Sequence, residues 1–286
     1  MKISMILSTL GRDYDIISFI ESLEFNNNAI VKIYIIDQNN DQRVNNVLSK
    51  YIKKNEQIEL FHYKVNFKGL SKARNYGLKL IDSDTDILCF PDDDCKYLTN
   101  TLDSVIEIFS KKNYDFISGV SLDEYNHNIT LKSNKDIPIN RIYNIFGKAI
   151  SYTIFINYQK YKNTNIIFDE RLGVGAEFGS TEETDFLFNL IKSGLVGYNV
   201  SVVEVYHPNK DLNIINLDRL YYYGLGVGAF TKKHSVISLD YIFFFVKSIL
   251  LAPSVRIIKS IFTLNFPLFK VGITMLKARL LGFVKY

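Results

Sequence analysis

Residues 86–98 read DILCFPDDDCKYL. An apolar run, Ile87-Leu88-Cys89-Phe90, passes through Pro91 and ends in three adjacent carboxylates, Asp92, Asp93 and Asp94. Like charges this close repel, and each loses hydration when partly buried. One reading is a solvated turn, since Asp favours turns and caps. The other is that a cation belongs there. Hard divalent ions take oxygen ligands, and Mg²⁺ is usually held by one or two carboxylates together with substrate phosphates. The Asp92-x-Asp94 spacing offers two such ligands on one short turn.

The flanking chain sets this segment in a sheet. Residues 3–8 (ISMILS), 31–36 (VKIYII, followed by Asp37) and 58–63 (IELFHY) are short β-rich runs. Between them, 13–25 carries apolar residues at helical spacing with Asp13 as its cap, and 41–54 reads as a helix. Residues 68–81 (KGLSKARNYGLKLI) read as a loop entering a helix, with Ser71 as N-cap, and another helix follows the acidic turn near 98–111. Such alternation predicts a parallel sheet covered by helices on both faces. Sheets of this kind bind ligands beyond the carboxyl ends of their strands. The turn Thr9–Arg12, Asp37 and Asp92–Asp94 therefore converge on one edge. Past residue 115 the pattern loosens. Strands are expected at 115–121, 148–158 and 200–206, with mixed or antiparallel pairing, and a helix near 214–223.

The chain has 286 residues, 47% hydrophobic and 22% charged, enough for a sizeable core and unlike a disordered chain. One large domain, or a domain plus an appendage, fits this length. Cys89 and Cys95 form neither a CxxC pair nor a zinc array, and a reducing compartment is the simple reading. The N-terminal MKISMILSTLGRDYD lacks the long apolar core of a signal peptide and reads as the first strand. P-loop, HExxH and GxSxG signatures are absent. The glycine stretches Gly173-Val-Gly175 and Gly224-Leu-Gly226-Val-Gly228 are not a GxGxxG after an N-terminal strand, which excludes a dinucleotide fingerprint.

Three further constellations carry chemistry. In GSTEETDFLF (179–188), Glu182 and Glu183 fall in the first turn of a helix beginning near Ser180 or Thr181. The helix dipole alone favours acids there. In the functional reading, Glu183 takes a proton from an attacking alcohol. His207, in VYHP, follows a strand as the acidic turn does, and is either structural or a metal ligand. Lys68, Lys72 and Arg74 at a helix start form either an anion site or a solvated face.

Taken in order, ILSTLGR, IYIIDQ, GLSKARNYGL, FPDDDC, GVGAEFGSTEETDFLFNLIKSG and VEVYHP resemble the inverting glycosyltransferases of the GT-A fold, in particular the large family 2. The resemblance spans about residues 1–210. It implies a Rossmann-like mixed sheet flanked by helices, a divalent cation (Mg²⁺ or Mn²⁺), and transfer of a sugar from a nucleotide-diphosphate donor to a hydroxyl of a glycan acceptor. Thr9, Gly11, Arg12 and Asp37 would hold the nucleotide, with Asp37 at the base. Lys68 and Arg74 would lie near the uridine or diphosphate. Asp92 and Asp93 would belong to the donor site, with Asp92 facing the ribose. Asp94 and His207 would bind the metal. The family carries Glu-Asp where this chain has Glu182-Glu183. Glu183 takes the base position, and Asp185 competes for it. That departure keeps open a non-catalytic nucleotide-sugar or glycan-binding protein on the same fold. A nucleotidyltransferase is a further alternative.

The last 46 residues differ. Residues 241–286 hold seven basic residues and no acid, a charge of +7, against −3 for 1–240. The expected division is therefore a transferase domain, 1–240, and an appendage of amphipathic helices, 241–286. No window of about 20 uncharged apolar residues occurs, so these helices are expected to lie in an anionic membrane surface and not to cross it. The tail is too apolar for a nucleic-acid arm. A seat on the cytoplasmic face of a membrane would suit a lipid-linked acceptor, as in bacterial surface-polysaccharide synthesis.

Overall fold

The computed structural model describes residues 1–123, 133–146, 148, 150–208, 216–236 and 238–286. Its strands are β1 (Lys2–Thr9), β2 (Ile30–Asp37), β3 (Ile58–Lys64), β4 (Ile87–Cys89), β5 (Lys96–Tyr97), β6 (Phe116–Leu122), β7 (Ile137–Ile139), β8 (Ile154–Asn157) and β9 (Gly197–Tyr206). They form one sheet in the order β3-β2-β1-β4-β8-β6-β9-β5, with β7 also paired to β9. The N-terminal strands β3, β2, β1 and β4 are parallel, whereas β8 runs antiparallel to both β4 and β6. The mixed α/β sheet expected from the alternation is present.

Helices α1 (Tyr14–Glu21), α2 (Arg43–Lys50), α3 (Leu70–Leu78), α4 (Thr101–Lys111), α5 (Ile142–Ile145), α6 (Tyr158–Tyr161) and α7 (Glu182–Lys192) cover the sheet. Asp13 caps α1, accepting from the Tyr14 amide at 2.7 Å. One core joins Ile3, Met5 and Ile33 to Phe19 of α1, Val44 of α2 and Val105 of α4. A second core joins Ile6, Ile36 and Leu88 to Ala73 of α3 and Phe186 and Leu190 of α7. Alternate residues of one strand thus feed opposite cores, as the two-residue side-chain period of a strand requires.

Two local expectations change. Ser71 does not cap α3, for Gly69 stands there at φ +130°, and Ser71 lies inside the helix donating to the Leu172 carbonyl at 2.5 Å. The positive φ favours glycine at 69, and the close approach favours it at 175, where a Cβ would lie 3.2 Å from the Gly69 Cα. The stretch 148–158 is not a continuous strand. A 3₁₀ turn, Ser151–Thr153, precedes β8, and residue 149 lies outside the described residues.

The C-terminal layer comprises α8 (Leu217–Lys233), α9 (Leu239–Phe245), a π-helical turn (Val246–Leu251), α10 (Ala252–Phe262) and α11 (Phe266–Lys285). Residues 214–215 of the helix expected at 214–223 lie outside the described residues. The run Gly224-Leu-Gly226-Val-Gly228 has its explanation here. A Cβ on Gly228 would sit 2.1 Å from the Arg279 carbonyl oxygen, so α8 and α11 touch backbone to backbone. The helix from Leu239 to Phe262 is continuous, because the π turn accommodates Pro253, which has no N–H to give. That helix is 24 residues long, and its most apolar 18-residue window has mean hydropathy 1.7 with only 17% of it buried. By length and composition it is able to cross a membrane, whereas the sequence, with no window of about 20 uncharged apolar residues, was expected to give helices lying in the surface.

Candidate active site

The register of the sheet assembles the site. Thr9 pairs with Asp37 at the ends of β1 and β2, and Ser8 bridges to Asp92 just past β4. The three segments expected to converge do so. A cleft of about 360 Å³ opens there, lined among others by Arg12, Gln38, Lys68, Asp92, Asp94 and His207.

Each aspartate of the triplet has its own environment. Asp92 accepts from Ser151 Oγ (3.3 Å) and from Arg74 (3.4 Å). Asp93 accepts from Thr9 Oγ1 (2.7 Å) and lies 3.3 Å from Arg12 Nε. Burial, only partly offset by that hydrogen bond and Arg12, pushes its carboxyl up to about 6. Asp94 contacts Arg12 (2.6 Å) and His207 Nε2 (3.1 Å). Burial would raise Asp94, but the His207 bond and the His207 and Arg12 charges outweigh it and hold the acid below its usual range.

The His207 ring stacks on Tyr152 at 4.6 Å and 10°. Its Nδ1 lies 3.0 Å from the Pro208 carbonyl, which can only accept, so Nδ1 carries the proton. Nε2 faces the carboxylates of Asp94 and Asp92, and a metal taking the place of its proton would meet an Nε2 lone pair there. Ligand atoms of these three residues lie within 4.8 Å of one another. Lone pairs converging on one point call for a cation, and a 2-carboxylate, 1-imidazole set suits a divalent ion. The donor set fits the metal that the sequence implied.

Other residues of the sequence reading fall elsewhere. Asp37 does not line the cleft. It is buried, accepting from Asn39 N (2.9 Å), Asn39 Nδ2 (2.8 Å) and His62 Nε2 (3.1 Å). Asn39 Oδ1 in turn accepts from the Gly11 amide at 2.6 Å, so Asp37 braces the Gly11 turn, where φ is +86°. Arg74 is 1% exposed and is not a surface cation. It spans Asp92 and Glu182 (3.2 Å) beneath the cleft, its guanidinium near the Phe90 and Phe168 rings. Glu182 is thereby occupied. Glu183, one residue on, is half-buried and lines a separate cavity beside α8 and α11. Burial, then the Glu182 charge, pushes its carboxyl well above the ordinary range.

Asp185 is fully buried, with His234 Nε2 at 2.7 Å, Lys233 Nζ at 2.9 Å and Asn189 Nδ2 at 3.3 Å. Lys233 also reaches Asp169 (2.6 Å), which accepts from the Tyr286 hydroxyl (2.6 Å). The acid that competed for the base position is thus the anchor of α7 to α8.

Reading the sequence missed Gln38, Ser151 and Tyr152. Gln38 receives the Gly69 amide at 2.8 Å and faces the cleft. Its place directly after a strand-ending Asp was the available signal. Ser151 and Tyr152 lie in the 3₁₀ turn taken for a strand and gave no signal of their own. Gly175, held by Tyr222 Oη at 3.0 Å, closes the cleft from the α8 side.

The sheet and its edge cleft have counterparts among solved structures. Those of S. aureus TarS 1–349 with UDP-GlcNAc (TM-score 0.60, 15% identity, covering 100% of this chain and 91% of that one) and of GalNAc-T7 with UDP, GalNAc and Mn²⁺ (0.57, 15%, 80% and 48%) are similar. A longer S. aureus TarS chain matches at TM-score 0.60 and 14% identity, over 96% of this chain and 55% of that one. At these identities the likeness establishes the fold, which is the GT-A fold of glycosyltransferases. No curated protein matches by sequence. The chain belongs to glycosyl transferase family 2, whose family model matches residues 4–172, and it is a glycosyltransferase. The match ends before Glu182, Glu183 and His207.

Proposed function

We propose that this enzyme transfers a sugar, with inversion and with a divalent cation bound, from a nucleotide-diphosphate donor to a hydroxyl of a membrane-held acceptor. The observation that carries this reading is the convergence of Asp92, Asp94 and His207 in the cleft at the sheet edge. When bound, a divalent ion neutralises charge developing on a diphosphate leaving group. Asp94 and His207 would hold it, with Asp92 at its side. Lys68 and Arg12 line the same cleft and suit phosphate oxygens. Thr9, Gly11 and Asp37 act from behind, fixing Asp93 and the turn that receives the nucleotide.

Glu183 is the proposed base. The acceptor oxygen attacks the anomeric carbon, the bond to the diphosphate breaks with its electron pair leaving on that group, and the acceptor proton passes to the Glu183 carboxylate. Arg74 supports this assignment, because it forms its ion pairs with Asp92 and Glu182 and, among the described residues, none with Glu183. Burial and the Glu182 charge raise the Glu183 carboxyl, which makes its carboxylate a stronger proton acceptor. Asp185, wholly enclosed, serves position and not proton transfer.

Residues 241–286 form the membrane seat in this reading. Leu251, Val255, Ile258, Phe262 and Leu264 are exposed, with Lys247, Arg256, Lys259 and Lys270 exposed among them. Three of those charges interrupt the 24-residue helix, and α11 packs along it, which favours lying in the interface at the inner face over crossing. The test is release of nucleoside diphosphate from a panel of donors, with and without Mn²⁺, in wild type, Asp94→Ala and Glu183→Gln. Metal-dependent release lost in both variants supports the reading. Tight donor binding with no release onto any acceptor would overturn it in favour of a binding protein.

A further inference from the structure

A second cavity, about 290 Å³, lies between the start of α7, α8 and α11. Glu183 and Thr181 form one side, Tyr223 another, and Met275 and Arg279 of α11 the third. Arg279 is the feature the proposed reaction does not use. It donates to the Ser248 carbonyl, which belongs to the π turn, and its Nε is buried without any hydrogen-bond partner. Among the described residues it makes no ion pair with a carboxylate, and residues 241–286 contain no acid to supply one. Burial, then the nearby Arg256 charge, lowers its guanidinium to about 10. Glu183 shares the cavity yet does not pair with it. A desolvated guanidinium with an open donor, beside a second arginine, lacks an anion.

We propose that this cavity is the acceptor subsite and that Arg279 binds a phosphate, or a chemically equivalent anionic group, on the acceptor. The proposal rests on the reading of Glu183 as base: the hydroxyl to be deprotonated meets Glu183 on one wall and the acceptor's anion meets Arg279 on the other. Ser248 and Arg256 belong to the exposed apolar helix, so the anion enters from the side that faces the membrane. An anionic amphiphile, with its apolar part in the lipid, is the class of acceptor that fits. The same chemistry is offered by a lipid headgroup, and the experiment separates the two.

The probes are geranyl diphosphate at monomeric concentration and vesicles containing phosphatidylglycerol, each presented to the full chain with the donor cleft blocked by saturating UDP and Mn²⁺. Calorimetry should find saturable geranyl diphosphate binding that Arg279→Gln weakens by about 10- to 100-fold, the range for hydrogen bonds to a charged group. Arg279→Lys, which keeps the charge, should recover part of it, and circular dichroism verifies that both variants are folded. Binding unaffected by Arg279→Gln overturns the proposal. So does an Arg279→Gln defect confined to the vesicles, which would make Arg279 a headgroup contact only. Neither readout involves turnover, so a failure here is distinct from a failure of Glu183→Gln to abolish transfer.

Discussion

The edge of the sheet and the C-terminal helical layer use charge in opposite ways. At the edge, carboxylates crowd together, and each is tied by a named partner: Thr9 and Arg12 on Asp93, Arg12 and His207 on Asp94, Ser151 and Arg74 on Asp92. In the layer, seven cations occur with no acid among residues 241–286, and most point outward among exposed apolar side chains. The first arrangement lines a cleft and suits a small cation. The second is exposed and, in the proposed reading, would seat the protein on an anionic surface. Joining them is α7, whose first turn carries both Glu182, locked to the edge through Arg74, and Glu183, turned toward the helices.

The sharpest way to break this contrast is to remove the group proposed to work between the two regions. Glu183→Gln should lower kcat by about 10²- to 10⁴-fold, the span of general-base catalysis, with donor affinity measured by calorimetry unchanged. A comparable loss in donor affinity would assign Glu183 to the cleft instead. Arg74→Ala tests the tie itself. It leaves Glu182 buried and unpaired, and should cost about 3–5 kcal/mol of stability in chemical denaturation. A loss below about 1 kcal/mol would mean the pair is open to water.

For the helical layer, deleting 241–286 is a poor test, because α11 packs backbone to backbone on α8 and its loss would damage the enzyme. The combined variant Lys247→Gln, Lys259→Gln and Lys270→Gln changes only exposed residues. At about 1 kcal/mol per charge near an anionic surface, partition into phosphatidylglycerol vesicles should fall about 100-fold in flotation, with transfer to a soluble acceptor retained. Equal flotation would remove the membrane seat. The smallest effect concerns pH. Glu183 has its carboxyl raised above the ordinary value near 4.5, and only its ionised form accepts a proton. At saturating Mn²⁺, kcat should therefore fall about tenfold per pH unit as pH drops through that raised value, and the limb should vanish in Glu183→Gln.

Much of the edge was legible in the sequence because strand ends and turn chemistry are local. ILSTLGR, IYIID and ILCFPDDD each announce a buried strand stopping at a polar turn, and the sheet aligns all three. His207 was legible for the same reason. What sequence could not give was contact across the chain. Arg74 read as part of an anion site or of a solvated face, and only its contact with α7 makes it a buried tie 108 residues from its partner Glu182. Asp185 looked like a rival base until His234 and Lys233, some 50 residues later, enclosed it. The long apolar helix was not expected because Lys247, Arg256 and Lys259 interrupt its apolar run, and the π turn within it has no local signature.

The central claim is that Asp92, Asp94 and His207 grip a divalent ion. It is tested most directly by titrating Mn²⁺ into the protein at saturating UDP and following the free ion by electron paramagnetic resonance. One tight ion per chain, lost in both Asp94→Asn and His207→Ala, is the predicted result. Uptake identical in wild type and both variants, or no uptake at all, would contradict it.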